Sequence, residues 1–483
     1  MLKVLSIASE AFPLIKTGGL ADVAGALPLA LPREGVEMRT LLPGYPAVKA
    51  KLAQVETVHA YPELMGGPAR ILAARAAALE LFVLDAPHLY DRPGNPYLGP
   101  DGRDWPDNAF RFAALARAGA DLAKGVSPAY AADVAHAHDW QAGLVAAYLH
   151  YDGAARPGTA LTIHNMAFQG HYPAELLAPL GLPASAMTVE GVEYFGGIGF
   201  LKAGIRLADR ITTVSPTYAR EILTPEFGMA LDGLLRSRAA SIDGIVNGID
   251  DEIWDPETDA TLPQDYSALR LEDRPVNREA LQSKFGLAPE ADAPLFGVVS
   301  RLTSQKGLDL LLACLPGLVE RGGQLALLGT GEPSLQQGFG AMAAAYPNAV
   351  GCVIGYDETL AHLIQAGCDF LVVPSRFEPC GLTQLCALRY GAAPLVARVG
   401  GLADTVIDAN EAALNAGVAT GVQFYPPDIG ALDHAISRAF DLCRNPELMH
   451  RLRLNGMRAD VSWRQPAKRY AALYAKLASR TVS

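Results

Sequence analysis

The sequence is poor in cysteine and has none before residue 314. Its six cysteines, Cys314, Cys352, Cys368, Cys380, Cys386 and Cys443, lie at spacings that suit neither a disulfide framework nor a zinc site. A reducing cytoplasm is the expected compartment. No apolar run reaches the length that spans a bilayer, so no membrane association is expected. The N-terminus, MLKVLSIASE, lacks the apolar core of a signal peptide and the Arg/Ser-rich make-up of a transit peptide; it reads as a strand entering the fold. Positive charge is short as well. There are 40 Lys and Arg against 51 Asp and Glu, and a net charge of −11 leaves no basic excess for a nucleic-acid backbone. Standard phosphate signatures are missing too. There is no GxxxxGK[ST] and no GxGxxG, and Gly329-Thr330-Gly331 lacks both the third glycine and the later ribose-binding acid of a dinucleotide site. No DxD pair follows a strand, so a metal-bridged diphosphate is not indicated.

What is present is length and apolar content. With 483 residues, half of them hydrophobic, the chain is too long for one core, and two large domains are expected. Short apolar runs alternate with Ala/Leu-rich helical stretches, the pattern of parallel α/β structure. In the first half the strands are read at 4–9, 38–43, 79–85, 133–138, 159–164 and 210–215. A loop-rich connection with one helix follows at 255–295, and a second series of strands falls at 295–301, 324–330, 349–355, 369–375, 393–399 and 421–425. The organisation is therefore two Rossmann-like, doubly wound domains, 1–245 and 246–457, and a C-terminal segment, 458–483, whose helix over 464–481 is expected to pack back on the N-terminal domain. Ligands of such sheets sit beyond the C-terminal strand ends, so the chemistry is expected in loops that follow strands, lining an interdomain cleft.

Four groups of residues occupy such loops. Lys16-Thr17-Gly18-Gly19-Leu20 follows the first strand, where paired glycines allow close approach to a ligand and Lys16 adds charge; the alternative is a plain Gly-rich turn. Arg301 and Lys306, in SRLTSQKG, would together suit a diphosphate leaving group; the alternative is two solvated cations. In PSRFEPCGLTQ, Glu378 precedes Cys380, Gly381, Leu382 and Thr383, a carboxylate beside amides suited to an anion. His138, Asp139, His164, Asn165 and Asn247 also stand at strand ends, where such groups bind polyhydroxylated ligands. His136-Ala137-His138 as a metal pair is the weaker reading, because further ligands are lacking. Tyr97 and Trp105 are aromatic enough to stack on sugars, but packing under a lid is the preferred account. The five residues GGLAD occur twice, at 18–22 and at 400–404, each after a strand and at the start of a helix. That suggests one device used in each domain rather than a duplication, and the alternative for the second copy is strand-to-helix packing.

KTGGLADV, LLPGY, HDW, TIHNMAFQG, VNGID, SRL…QKG, EPCGLTQ and VGGLADTV occur in that order and span nearly the whole chain. On these motifs the sequence resembles the bacterial glycogen synthases and plant starch synthases, retaining glycosyltransferases of family 5 with the GT-B fold. The resemblance implies glucose transfer from ADP-glucose to the non-reducing 4-OH end of an α-1,4-glucan, with release of ADP and with no metal or other cofactor. It implies that Lys16, Gly18 and Gly19 contact the donor, and that Asp139, His164 and Asn165 line the glucose site. Asn247 would face the nucleotide-sugar, Arg301 and Lys306 would neutralise the diphosphate, and Glu378 would be the essential acid. Cys380 to Thr383 would bring amides to sugar and phosphate, and Tyr356 would stack on adenine. Many related enzymes carry a second glutamate eight residues after the first; here that position is Cys386, so Glu378 alone is expected to be catalytic. A phosphorylase dependent on pyridoxal phosphate and a non-enzymatic glucan-binding protein are the competing classes. UDP-glucose as a slower donor and a homo-oligomeric state stay open.

Overall fold

The computed structural model describes residues 1–128, 130–153 and 155–479. They form two compact units, one of residues 1–247 with the segment from Trp463 onward, the other of residues 248–462. Among the described residues no helix is long and apolar enough to cross a membrane.

The N-terminal unit is built on a nine-stranded sheet. Its order runs Ile242–Gly244, Arg210–Thr213, Gly158–Ile163, Val134–His138, Leu2–Ile7, Val36–Pro43, Leu79–Asp85, Ala69–Ala76 and Ala53–Tyr61. The first seven are parallel, in registers such as Val4 opposite both Met38 and Val134, and the last two add antiparallel at one edge. Central strands such as VAHAH and GTALTI are buried at every residue, because both faces of the sheet are covered. Several of the polar side chains among them bond across strands. Thr212 bonds Thr162 at 2.5 Å, Thr162 bonds His136 at 2.6 Å, and Tyr474 bonds the other ring nitrogen of His136 at 2.8 Å. Tyr474 belongs to the helix Arg464–Ala478, which covers this face with Tyr470, Leu473, Tyr474 and Leu477. The sequence reading ran this helix to 481; residues from 480 on lie outside the described residues. A small antiparallel sheet of His171–Tyr172, Glu193–Tyr194 and Gly197–Gly199 stands beside the main one.

The C-terminal unit has six parallel strands in the order Val350–Ile354, Gln324–Gly331, Leu295–Leu302, Phe370–Val373, Ala393–Ala397 and Val422–Phe424. Counted along the chain this is 3-2-1-4-5-6, the doubly wound nucleotide-binding order. Separate apolar clusters cover the two faces, one around Leu311, Leu327 and Phe440, the other around Leu281, Ile364 and Leu371. Each such fully buried side chain contributes about 1.5–3 kcal/mol. In this order the connections diverge between Leu295–Leu302 and Phe370–Val373, which fixes where a ligand pocket opens.

Candidate active site

In the C-terminal unit Arg301 stands near the end of one of the two strands at the switch point, and the loops that leave those strands carry Lys306 and Glu378. Lys306 Nζ lies 2.5 Å from Glu378 Oε2, and Ser375 Oγ donates to the same oxygen at 3.0 Å. Glu378 is buried and Lys306 nearly so. Oε1 of Glu378 has no hydrogen bond among the described residues, and Lys306 keeps two of its three N–H groups for other partners. Arg301 is exposed on its strand, and its guanidinium has no protein partner among the described residues. Tyr356, after the neighbouring strand Val350–Ile354, is 79 % exposed, its hydroxyl donating to Glu358 at 2.9 Å.

The loop Cys380–Leu382 leads into a helix of only two turns, Thr383–Arg389, so it offers a few backbone amides rather than a long helix dipole. The amide of Gln384 straps the loop by donating to the carbonyls of Cys380 at 3.1 Å and Gly381 at 3.0 Å. The second GGLAD packs on the same loop. Gly401 N–H donates to the carbonyls of Glu378 at 3.1 Å and Pro379 at 3.2 Å. A Cβ at Gly400, whose φ is +44°, would run into the Glu378 carbonyl, and one at Gly401 into Cys380. This pair of glycines is therefore accounted for by the close approach of two chain segments.

The first GGLAD differs. Around Gly18 and Gly19 nothing stands within 4 Å of a Cβ, and Gly18 has ordinary extended geometry. Packing within the chain therefore does not demand glycine at either position. Lys16 pairs with Asp22 at 2.7 Å; both are partly exposed, so the pair holds weakly, by about 0–1 kcal/mol. The loop itself is held by Glu10, a residue the sequence reading passed over. Its buried carboxylate accepts the Thr17 N–H, the Thr17 hydroxyl at 2.8 Å and the Tyr97 hydroxyl at 2.8 Å. Burial raises the Glu10 carboxyl above its ordinary range, and these hydrogen bonds pull the other way. Tyr97 also meets Ser9 at 2.7 Å, so it serves the loop's position rather than standing free to stack. Trp105 packs against the Arg92 guanidinium, 4.7 Å from the ring centre.

Glu10 follows Leu2–Ile7, and the strand paired with it there, Val134–His138, delivers His138 and Asp139. Asp139 sits at φ +54°, a strained conformation for a residue other than glycine, and accepts the N–H of His164 at 2.6 Å and of Asn165 at 3.4 Å. His138 Nδ1 meets His164 Nε2 at 2.9 Å. Burial pushes the Asp139 carboxyl up to about 7 and the His138 imidazole down to about 3. Burial, with the neighbouring His138 second, holds His164 well below its usual range. The histidines are thus neutral hydrogen-bonding groups. His136 is held on both ring nitrogens by hydroxyls, which leaves neither for a metal. Among the described residues no three His, Cys, Asp or Glu side chains converge to hold a metal ion. Asn247 is buried after the edge strand Ile242–Gly244, and its Oδ1 has no partner among the described residues.

Comparison with known proteins fits this arrangement. A profile of the starch synthase catalytic domain matches residues 3–237, and one of glycosyl transferases group 1 matches residues 281–458. The chain is 63 % identical to a glycogen synthase of Methylocella silvestris over 99 % of both chains, and 57 % identical to one of Acidiphilium cryptum over 99 % of this chain and all of that one. The chain belongs to the glycogen synthase family. It is accordingly a glycosyltransferase with the GT-B fold. The catalytic domain of Arabidopsis thaliana starch synthase IV, a structure bound to ADP and acarbose, superposes with a TM-score of 0.89 at 31 % identity, covering 99 % of this chain and all of that one. A sucrose-phosphate synthase from Thermosynechococcus elongatus, at 18 % identity and a TM-score of 0.62, shares the fold. In this chain the position of the second glutamate, Cys386, is buried beside Ile249 and Leu385, where a carboxylate would have no water.

Two further residues carry the site and were passed over in the sequence. Ser375 and Glu10 are each the kind of polar residue that the strand-end argument selects, but neither stands in a recognisable spacing. Only the folded loops show that one holds Glu378 and the other Thr17.

Proposed function

We propose that the chain transfers glucose from ADP-glucose to the non-reducing 4-OH end of an α-1,4-glucan, with retention of configuration, release of ADP and no metal or cofactor. The observation that carries this reading is the Lys306–Glu378 contact at 2.5 Å on the switch point of the C-terminal sheet, with Arg301 exposed near the end of the strand that leads to Lys306. Leaving ADP gains charge as the glycosidic bond breaks, and two cations offset that charge in the transition state more than in the ground state. Arg301 offers a planar fork and Lys306 a point charge to the diphosphate. The open oxygen of Glu378 bears negative charge toward the electron-poor anomeric carbon, and the backbone beyond it, from Cys380 to Thr383, brings amides to sugar and phosphate. Tyr356 stacks on the adenine. Lys16, Gly18, Gly19 and Asn247 contact the donor. Asp139, His164 and Asn165 bind glucose hydroxyls, with His164 neutral. That a starch synthase related at 31 % identity is bound to ADP and acarbose supports an adenine nucleotide and a glucan-like ligand for this site.

The test is a competition between labelled ADP-glucose and UDP-glucose with a glycogen primer in the presence of EDTA. ADP-glucose is expected to be the preferred donor and chelation to have no effect. Preference for UDP-glucose, or loss of transfer with EDTA, would overturn the reading.

A further inference from the structure

Arg376 stands two residues before Glu378, in the loop that follows Phe370–Val373, and it grips the turn that carries Lys306. Its backbone N–H donates to the carbonyl of Gln305 at 2.9 Å. Its guanidinium donates to the carbonyl of Ser304 at 2.6 Å and forks onto Asp309, with each carboxylate oxygen at 2.7 Å. Ser304 and Gln305 precede Lys306 in the turn Ser304–Lys306, and Asp309 lies in the first turn of the helix Leu308–Glu320 just beyond it. One side chain thus joins the loops of the two strands at the switch point and holds the Lys306 turn from both sides. The hydrogen bonds from Arg376 keep the Asp309 carboxyl below its ordinary range.

The guanidinium is committed to these contacts. Asp309 matches its charge and takes its fork, so Arg376 cannot serve a diphosphate as the exposed Arg301 can. Nor does the pair add much to stability. Arg376 and Asp309 are 40 % and 42 % exposed, and ion pairs open to water hold weakly. The two loops have other supports as well. Gly307 abuts the Pro374 carbonyl, the Ser304 N–H donates to Glu332 at 3.0 Å, and the Gly401 N–H holds the Glu378 carbonyl. What a bidentate clamp adds is geometry, because a fork fixes distance and orientation together. Lys306 and Glu378 need that precision, since a misplacement of about 1 Å at a reacting centre can lower a rate by roughly 10²-fold.

We propose that Arg376 is a positioning residue, which through Ser304 and Asp309 holds Lys306 at its working distance from Glu378. It acts through these residues rather than on the substrate. The inference rests on the roles given to Lys306 and Glu378 above.

Arg376→Ala, Arg376→Lys, Asp309→Ala and the double alanine variant, each in the full-length protein, test it. Both single alanine variants are expected to lower kcat by roughly ten- to a hundredfold, with KM for ADP-glucose moving by less than about threefold. Their Tm should fall by no more than about 4 °C, as for a pair open to water. Lysine, which lacks the fork, should restore only part of the rate. The double variant should lose about as much as the worse single one, because both substitutions break the same contact. Rates within about twofold of the parent in both single variants would overturn the proposal. So would a multiplied loss in the double variant. A parent rate in Asp309→Ala beside a loss in Arg376→Ala would overturn it too, because Arg376 would then act on the substrate itself. A parent protein unable to use ADP-glucose would refute the donor assignment instead, and the clamp would still be open to test by acetylation. Lys306 should react with acetic anhydride several-fold faster in Arg376→Ala than in the parent, read by mass spectrometry, and an equal rate would overturn the proposal.

Discussion

Lys306 and Glu378 stand 72 residues apart in the chain and 2.5 Å apart in the fold, ammonium to carboxylate. Their loops leave adjacent strands, and Gly307, at φ +66°, brings one loop so close that a Cβ would strike the carbonyl of Pro374 in the other. The pair is thus set by backbone packing rather than by the reach of a flexible lysine.

Lys306→Ala is expected to lower kcat by roughly 10²–10³-fold, the usual effect of losing one preorganised charge donor. It should also destabilise the C-terminal unit, because it leaves Glu378 buried without its partner; breaking such a pair costs about 3–5 kcal/mol. Replacing both Lys306 and Glu378 by alanine should restore much of the stability and none of the activity. Urea unfolding of the two single variants and the double variant, with initial rates on glycogen, checks both parts.

The two GGLAD copies are predicted to respond oppositely. Gly400→Ala meets the Glu378 carbonyl at a left-handed φ, so overpacking of about 1–3 kcal/mol is expected. For a unit of this size each kcal/mol lowers Tm by about 2–4 °C. Gly18→Ala enters open space and should leave Tm unchanged while raising KM for ADP-glucose. Calorimetry beside donor titrations distinguishes them.

Glu10 is predicted to act as a positioning residue for the KTGGL loop. Glu10→Gln exchanges one of the carboxylate oxygens that Thr17 and Tyr97 share for an amide that cannot accept their hydrogen bonds. The expected effect is a rise of roughly tenfold in KM for ADP-glucose, about 1.4 kcal/mol, with a smaller change in kcat. An unchanged KM would show that the loop holds its shape without this anchor.

Stability should depend on pH through the buried strand-end groups of the N-terminal unit. His136, His138 and His164 are held below their unfolded values, so the unfolded chain binds more protons than the native one. Their contribution is complete above about pH 6.5 and is lost as pH falls. Asp139 works the other way. Its raised native pKa, about 7, makes its contribution complete below about pH 4 and lost as pH rises toward 7. Three histidines outweigh one acid, so stability should climb between pH 4.5 and 6.5. Asp139→Asn removes the opposing trend and should steepen the climb in urea midpoints measured across that range.

Most parallel strands of both sheets were legible because they are buried on two faces and largely apolar; the three-residue edge strand Ile242–Gly244, only partly buried, was not and falls in a stretch that reads as loop. The antiparallel pair Ala53–Tyr61 and Ala69–Ala76 was not. The outer of these, Ala53–Tyr61, is largely exposed and its register shifts twice, so no continuous apolar run marks it. The strands of the small sheet are only two or three residues long, below what periodicity detects. At the site, residue types at strand ends could be read directly. The contacts that hold them could not. Thr17 to Glu10, Ser375 to Glu378 and Gly401 to the Glu378 carbonyl depend on how loops return to one another, which no local spacing encodes.

The most direct test of the central claim is the rate at which Glu378→Gln moves labelled glucose from ADP-glucose to glycogen. Glutamine keeps the size of the side chain and removes its charge. A fall of roughly 10²–10³-fold or more, with ADP binding retained, is predicted. Transfer at the parent rate would contradict the assignment of Glu378 and Lys306 as the reacting centre.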